Sequence, residues 1–450
     1  MGISCFRAEG AESRGSFIEW KGNSVLSDGK WVKVKTTGKG IHKIPYDKLK
    51  SWGFARPEAV NVYGNGGYKL TELLDEIPVD DLTKNRSWHG RDGSGKDCLF
   101  FLSMGVTEWK WNGSASVFKH TVNPYSVDCF YFLSDAGNSA YTVETAPPAD
   151  LPATHDVTSF DDFTSHETEQ YNLIESGQHW YGEKFSRFSV RAFSLTCEDP
   201  VPGIPAKILI KGAGRSQLLS SLEVTINKVK QDPLQFSGVS MDNETSMYAD
   251  DRVRVYMVNL SSSSVEISMS YSAANTLSEA WLDHITVNWR RALKMSGDEL
   301  FFRDTQHLGA GNTGRFLIEN GTTGMKVLDI TLPAEPFEIP AALQGSQLVF
   351  TRSTGQLREY LAFKPTGNFP EPLFVGEVPN QNLHALPTPE LLVISHPDFL
   401  SSAHKVADFH RTTDGMDVAV VTTSQVYKEF GSGSPDASAL RNFIRMLYDR

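Results

Sequence analysis

Cys5, Cys98, Cys129 and Cys197 are the chain's thiols, and a thiolate is among the most reactive nucleophiles a side chain offers. None belongs to a Cys-x-x-Cys pair or stands beside a histidine at metal-ligand spacing, so zinc is not expected from them. Cys98 lies in Asp97-Cys98-Leu99-Phe100-Phe101-Leu102 and Cys129 in Asp128-Cys129-Phe130-Tyr131-Phe132-Leu133. In such apolar runs a buried free thiol is the default reading. A Cys98–Cys129 disulfide is the alternative, and spacing does not choose between them. His396 follows an apolar strand directly, where ligand sites of parallel sheets gather, but no Ser or Cys occupies a comparable position. His404 and His410 fall on different faces of a helix and do not share a metal. Gly64-Asn65-Gly66-Gly67 lacks the Lys and the following helix of a phosphate loop and reads as a turn. Trp109-Lys110-Trp111 and His179-Trp180-Tyr181-Gly182-Glu183 are aromatic clusters suited to sugars or partners, with packing as the default. Asn112, Asn243, Asn259 and Asn320 head Asn-x-Ser/Thr triplets, which are too common by chance to carry an argument. No His-Glu-x-x-His, Gly-x-Ser-x-Gly or Asp-rich calcium loop occurs. The residues alone therefore assign no catalytic, cofactor-binding or metal-ligating position.

Composition narrows the classes further. The formal charge is −11, from 43 Lys and Arg against 54 Asp and Glu, which argues against nucleic acid and against a polybasic membrane surface. With 40% apolar and 22% charged residues, this is ordinary globular material. Nine Trp, 14 Tyr and 26 Phe supply enough large side chains to fill cores without a disulfide framework. No run approaches the roughly 20 apolar residues of a spanning helix. Met1-Gly2-Ile3-Ser4-Cys5 shows neither the basic region nor the apolar core of a signal peptide.

The texture that must position any chemistry is mainly strand. Residues 1–15 are small and polar and are expected to be poorly ordered. An N-terminal β domain is predicted for 16–146. It begins with the strictly alternating Trp31-Val32-Lys33-Val34-Lys35 and holds one short helix, Pro45–Trp52, closed by Gly53. Pro147-Pro148 and Pro152 mark a linker. An antiparallel β-sandwich is predicted for 155–298, with strands at Lys184–Phe193, Ala206–Lys211, Leu222–Lys228, Val253–Val258 and Val265–Tyr271, and Trp281–Trp289 as its closing strand. A further β region spans 299–385, as its own domain or as the completion of a sandwich. Its strands are expected at Arg315–Glu319, Lys326–Thr331, Gln347–Thr351 and Glu359–Phe363.

From 390 to 450 the pattern becomes strand–helix–strand–helix. Leu391-Leu392-Val393-Ile394 and Val418-Ala419-Val420-Val421 read as parallel strands buried on both faces. Ala403, Val406, Ala407 and His410 line one helical face, and Asp414-Gly415 stops that helix. Ser434-Pro435-Asp436 predicts a second helix with Ser434 as N-cap and Leu440, Phe443, Ile444 and Leu447 as its apolar face. Two such strands do not bury both sheet faces, so the sequence is expected to stop inside a domain, as a fragment.

This last segment resembles the opening of the caspase-like domain of gingipain-type cysteine peptidases. The resemblance rests on Leu392 to Phe399, Ala407-Asp408-Phe409-His410-Arg411, Gly415 to Val421, Val426 to Phe430 and Pro435 to Arg450, with Ala439-Leu440-Arg441-Asn442-Phe443 and Leu447-Tyr448-Asp449-Arg450 most characteristic. Upstream, Gly40 to Ile44, Asp47-Lys48-Leu49, Val62 to Gly67, Asp80-Asp81-Leu82, Asn123-Pro124-Tyr125-Ser126 and Trp180 to Glu183 resemble the N-terminal region of the surface sortases of type IX secretion. The resemblance implies a parent that removes C-terminal signal domains from secreted cargo at the bacterial outer-membrane surface, alongside other outer-membrane secretion components. Its signal peptide would lie outside this sequence. The implied chemistry is a Cys nucleophile with a His base giving an acyl-enzyme, without cofactors. In the family both residues follow later strands of the sheet. None maps onto this chain, whose cysteines lie in the upstream β blocks, and the chain itself is expected to be catalytically silent. A non-enzymatic adhesin or carbohydrate- or protein-binding β-sandwich protein is the alternative.

Overall fold

The computed structural model describes residues 18–36, 38–137, 139–148, 152–175, 177–243 and 245–450. Residues 1–15, with Cys5, lie outside the described residues. The chain is mainly β and mostly antiparallel, and its longer helices follow residue 399.

Alternating apolar residues build the first layer. A five-stranded sheet runs in the order Leu373–Val378, Trp31–Thr36, Cys129–Ser134, Asn61–Tyr63, Lys84–Asn85. A three-stranded sheet of Lys39–Pro45, Asp97–Met104 and Trp88–Arg91 packs beside it. Val32, Val34, Ile44, Leu99, Phe101, Tyr131 and Leu133 fill the space between them. The short helix forms at Tyr46–Ser51, and Gly53 takes φ +88 just beyond it, as its position after the cap predicts. A separate hairpin, Thr107–Asn112 with Val117–Val122, projects from this layer onto the next one.

The second layer is a two-sheet sandwich. One sheet runs Ser159–Glu167, Glu279–Ala292, Ala206–Arg215, Asp250–Val258. The other holds Val190–Thr196, Ser264–Ser272 and Ser220–Ile226. Phe185, Ile208, Ile210, Leu222, Val224, Ile267, Met269 and Leu282 lie in the core they enclose. Two expectations change here. The strand containing Trp281–Trp289 does not close the sheet. It is central, paired with Ser159–Glu167 on one side and with Ala206–Arg215 on the other. The Lys184–Phe193 segment is two strands, Lys184–Ser186 in the first sheet and Val190–Thr196 in the second. Phe188, at φ +67, lies in the turn that switches the chain between them.

A third group of strands surrounds an aromatic core. Phe302 is fully buried, with Phe160, Phe316, Phe350 and Tyr360 rings between 5.3 and 6.2 Å from it. Glu359–Phe363 forms as predicted, and Thr313–Ile318, Lys326–Asp329 and Gln347–Ser353 form within a few residues of their predicted ends. Glu144–Thr145 and His155–Val157 join this group as parallel edge strands. Glu359 ties the layers together, accepting from Lys39 Nζ and Arg303 Nη2, both at 2.8 Å. Burial opposes ionisation of Glu359, but the two cations prevail and hold its carboxyl down at about 2.

Truncating Phe302 leaves a cavity among four rings. Phe302→Ala is expected to cost about 3–5 kcal/mol in urea unfolding. Val229→Ala, at an exposed position, should change stability by no more than roughly 0.5 kcal/mol.

Candidate functional site: the α/β segment and its seat

The Leu391–Ser395 and Val418–Thr422 strands pair in parallel, with Leu391 opposite Val418 and Ser395 opposite Thr422. Their apolar composition suits burial on both faces, yet every residue of Leu391–Ser395 is only half-buried. The reason is geometric, because two strands alone leave both sheet edges without neighbours. The Leu400–Thr413 helix covers one face through Ala403 and Ala407, and Val406, expected on that buried stripe, is half exposed. Gly415, at φ +67, ends this helix as predicted. On the other face, Val421, Val426, Phe430, Ala439, Phe443, Met446 and Leu447 form a closed cluster.

Two helices build that cluster. Thr423–Phe430 was not predicted, although Thr422 and Gln425 form a reciprocal capping box that its sequence spells out. Ala437–Asp449 starts two residues later than Ser434 would have it, because Asp436 is the N-cap. Asp436 accepts from Ser438 N at 2.7 Å, and its second oxygen accepts from Leu70 N at 3.0 Å. The cap therefore doubles as a bond to the first β layer, which explains the shift. Of the predicted apolar face, Phe443 and Leu447 are buried and Leu440 is half-buried, while Ile444 is half exposed.

The segment sits on the first layer through polar contacts of high specificity. Arg441 donates to the carbonyls of Glu72 and Thr71, both at 2.8 Å, and Arg445 donates to that of Leu74 at 3.0 Å. Ser432 Oγ accepts from Asn65 N at 2.9 Å, and Lys33 Nζ donates to the Gly433 carbonyl at 2.7 Å. The Gly64–Gly67 turn is thus part of the seat. Gly67 is required there by close approach, because a Cβ would lie 2.8 Å from both Cys129 Cβ and the Gly105 carbonyl.

At the centre of the seat His384 is fully buried between two carboxylates. Its Nδ1 bonds Glu429 Oε2 at 2.6 Å and its Nε2 bonds Asp80 Oδ1 at 2.9 Å. Phe430 stacks on the ring at 4.7 Å. Glu429, fully buried, also accepts from Leu383 N and from Gln381 Nε2 at 2.9 Å. Burial alone would lower the imidazole pKa. The hydrogen bonds to Asp80 and Glu429 and the charges of Glu429 and Asp81 outweigh it and raise the value to about 9. The stretches holding Asp80 and Glu429 entered the sequence reading only through resemblance, and their pairing with His384 was not foreseen, since these contacts span 304 and 45 positions. The available signal was Glu429 itself, a carboxylate between Val426 and Phe430 on an apolar helical face.

The other candidates are dispersed. His396 is exposed, with Asp398 at 3.5 Å and the Phe399 ring 6.1 Å away. His410 holds Asp414 at the end of its helix, and His404 is exposed. Cys98, Cys129 and Cys197 are buried and free, so no disulfide joins Cys98 to Cys129. Burial pushes the Cys98 thiol up to about 11 and Cys197 up to about 12, and it raises Cys129 as well. These are structural thiols, kept protonated near neutral pH. Trp109 stacks on Phe163 at 4.0 Å and Tyr181 on His179 at 4.6 Å. One face of each ring is taken up by packing. Trp111 packs at 5.0 Å from Phe118, and Trp180 keeps partial exposure with its Nε1 donating to the Gly177 carbonyl. Two groups of metal-ligating type come together, His120 with Glu167 and His284, and His155 with Asp304 and His307.

The parallel strand–helix unit seated on the β platform falls within residues 384–450, which match the family model for peptidase family C25. The whole chain is similar to the crystal structure of dimeric latent PorU from Porphyromonas gingivalis, with a TM-score of 0.84 and 26% identity. The match covers 96% of this chain and 40% of that one, so the chain spans about two fifths of its length. The chain is a PorU-like N-terminal region of the gingipain family, with the C25 match at its C-terminal end. The CBM36-1 domain of a xylanase from the hindgut metagenome of Trinervitermes trinervoides matches 29% of this chain and 94% of its own. At 10% identity and a TM-score of 0.20, that likeness carries no argument. No curated protein matches the sequence. Among the described residues, no helix is long and apolar enough to cross a membrane.

A raised imidazole pKa means that folding favours the proton on His384. Its contribution is complete below the unfolded value of about 6.5 and is lost as pH rises through about 9. Melting temperatures between pH 6 and pH 10 should show His384→Gln to be less stable than the parent at the acid end. The gap should narrow across that window. Asp436→Ala should cost about 1 kcal/mol through the lost cap, with a further loss from Leu70 N–H.

Proposed function

We propose that this chain is the platform and the opening strands of a gingipain-like cysteine endopeptidase and transpeptidase, the surface sortase of type IX secretion. In this reading the parent removes C-terminal signal domains from secreted cargo at the outer-membrane surface. The observation that carries it is the similarity to PorU along nearly the whole chain, together with the C25 match over the α/β segment. The half-buried parallel pair is consistent with further strands adding to its edges. Those strands would bring the nucleophilic Cys and its His base to the C-terminal ends of the sheet, near Ser395 and Thr422. Attack by the thiolate on the cargo carbonyl gives an acyl-enzyme that water or an amine then resolves. The β layers take no part in bond breaking. Their role is to hold the first strand pair at a fixed angle, since a displacement of about 1 Å in a reacting group costs roughly 100-fold in rate.

Two experiments test this reading. Residues 1–450 incubated with a cargo peptide should give no thiol-dependent cleavage, and cleavage abolished by iodoacetamide would overturn the assignment. In cells, the full-length protein carrying His384→Ala and Glu429→Ala should leave secreted cargo with its C-terminal signal domain attached, as read by mass spectrometry. Normally processed cargo from a strain lacking the whole gene would end the sortase reading.

A further inference from the structure

The Thr107–Val122 hairpin crosses onto the sandwich sheet at a cluster of nitrogen and carboxylate ligands far from the α/β segment. Glu167, at the end of Ser159–Glu167, lies directly opposite His284 in the central strand Glu279–Ala292, which places their side chains on one face. His120, on the second strand of the hairpin, reaches down so that its Nε2 bonds Glu167 Oε2. One ligand atom from each of His120, Glu167 and His284 lies within 4.8 Å of the other two. The His120 and His284 rings stand 4.9 Å apart at 76°, edge to face.

The second layer of contacts is what separates this cluster from a chance meeting. His120 Nδ1 bonds Thr286 Oγ1 at 3.1 Å, which leaves Nε2 to face the cluster. His284 Nδ1 meets Asp283 Oδ1 at 3.3 Å, and Asp283 is itself buried and held by Lys211 at 2.7 Å. A carboxylate on one imidazole nitrogen with the other left for an ion is the arrangement that orients metal-bound histidines. The sheet is bent to allow it. The pairing with Ala206–Arg215 skips Asp283, because Lys211 faces His284 and Gly212 faces Leu282. This β-bulge brings Asp283 and the adjacent His284 together, against the alternation of a regular strand. Asn288, on the same strand, accepts from Phe118 N at 2.6 Å and donates to the Phe118 carbonyl at 3.1 Å, which fixes the hairpin where His120 can reach. A cavity of about 250 Å³ opens beside the three ligands and is lined also by Glu169, His179 and Trp180.

We propose that His120, His284 and Glu167 bind one zinc ion, with Glu169 or water from the cavity completing four-fold coordination, and that the ion pins the hairpin of the first layer to the sandwich. Two imidazoles and a carboxylate suit zinc better than calcium or magnesium, which take oxygen ligands. The His155, Asp304 and His307 cluster is the internal comparison. There Arg290 Nη1 donates directly to the ligand carboxylate Asp304 at 2.8 Å and opposes a dication, whereas Lys211, which also lines the proposed site's cavity, holds Asp283 and not a ligand.

Tag-free protein stripped with chelator and titrated with zinc by calorimetry should bind one ion per chain. Cobalt should give the strong visible absorption of a four-coordinate site. His284→Gln and Glu167→Gln, both checked for native circular dichroism, should each lose binding by roughly 100-fold or more. Asp283→Asn should lose about 10- to 100-fold, as for other partners that orient ligands. His307→Ala should bind as the parent does. Absence of stoichiometric binding in the parent, or unchanged binding in both His284→Gln and Glu167→Gln, would overturn the proposal. So would loss of binding in His307→Ala alone.

Discussion

A buried imidazole between two carboxylates carries the junction on which the rest of this chain's organisation rests. His384 sits where the β-rich part ends and the α/β segment begins, and its two partners come from opposite sides, Asp80 from the first layer and Glu429 from the Thr423–Phe430 helix. Burying Glu429 beside a half-buried Asp80 without a cation would be costly, and burying a lone cation equally so. Each therefore makes the others tolerable only when the two parts of the chain are in contact. A hydrophobic patch at the same place would hold the parts together but permit sliding. Fixed donor and acceptor directions do not. The arginines of the last helix extend the same logic, because they read carbonyl positions along residues 71–74 rather than apolar area.

Such a junction explains why the α/β segment can be ordered here although its strand pair is poorly covered. Its apolar cluster is small, and among the described residues no strand lies beside the sheet edges. What stabilises it is the platform. In chemical terms, a peptidase active site assembled on these strands would inherit its orientation from the β layers, through contacts that contain no catalytic group. The buried thiols fit that division, since none of the three described cysteines has surroundings that favour a thiolate.

Much of the architecture could be read from local patterns. Period-two alternation marks Trp31–Thr36, and the segment Glu359–Phe363 needed only its apolar run and flanking turns. The helix at Tyr46–Ser51 was legible because Gly53 is the one residue type that comfortably takes its backbone conformation. Misreadings arose where tertiary partners decide. Ser434 and Asp436 are both good caps, and only the Leu70 amide, 366 positions away, selects Asp436. The central place of Glu279–Ala292 depends on three partner strands that its own sequence does not specify. The seat and the histidine cluster were the least legible, because residues such as His120 and Thr286 are 166 positions apart and isolated in their own neighbourhoods.

One strand also dictates an order of events. Leu373–Val378 forms the outer edge of the first sheet, beside Trp31–Thr36, and Lys30 meets Glu377 across 347 positions. An emerging polypeptide therefore holds Trp31–Thr36 with one side unclaimed until nearly all the β layers have been made. Pairing across so long a loop is slow, and an open strand invites the wrong neighbour. The sandwich, whose strands lie between residues 159 and 292, can mature in the meantime. The platform is thus sealed immediately before the α/β segment arrives to use it. Timing of this kind delays docking of the α/β segment until its foundation is finished.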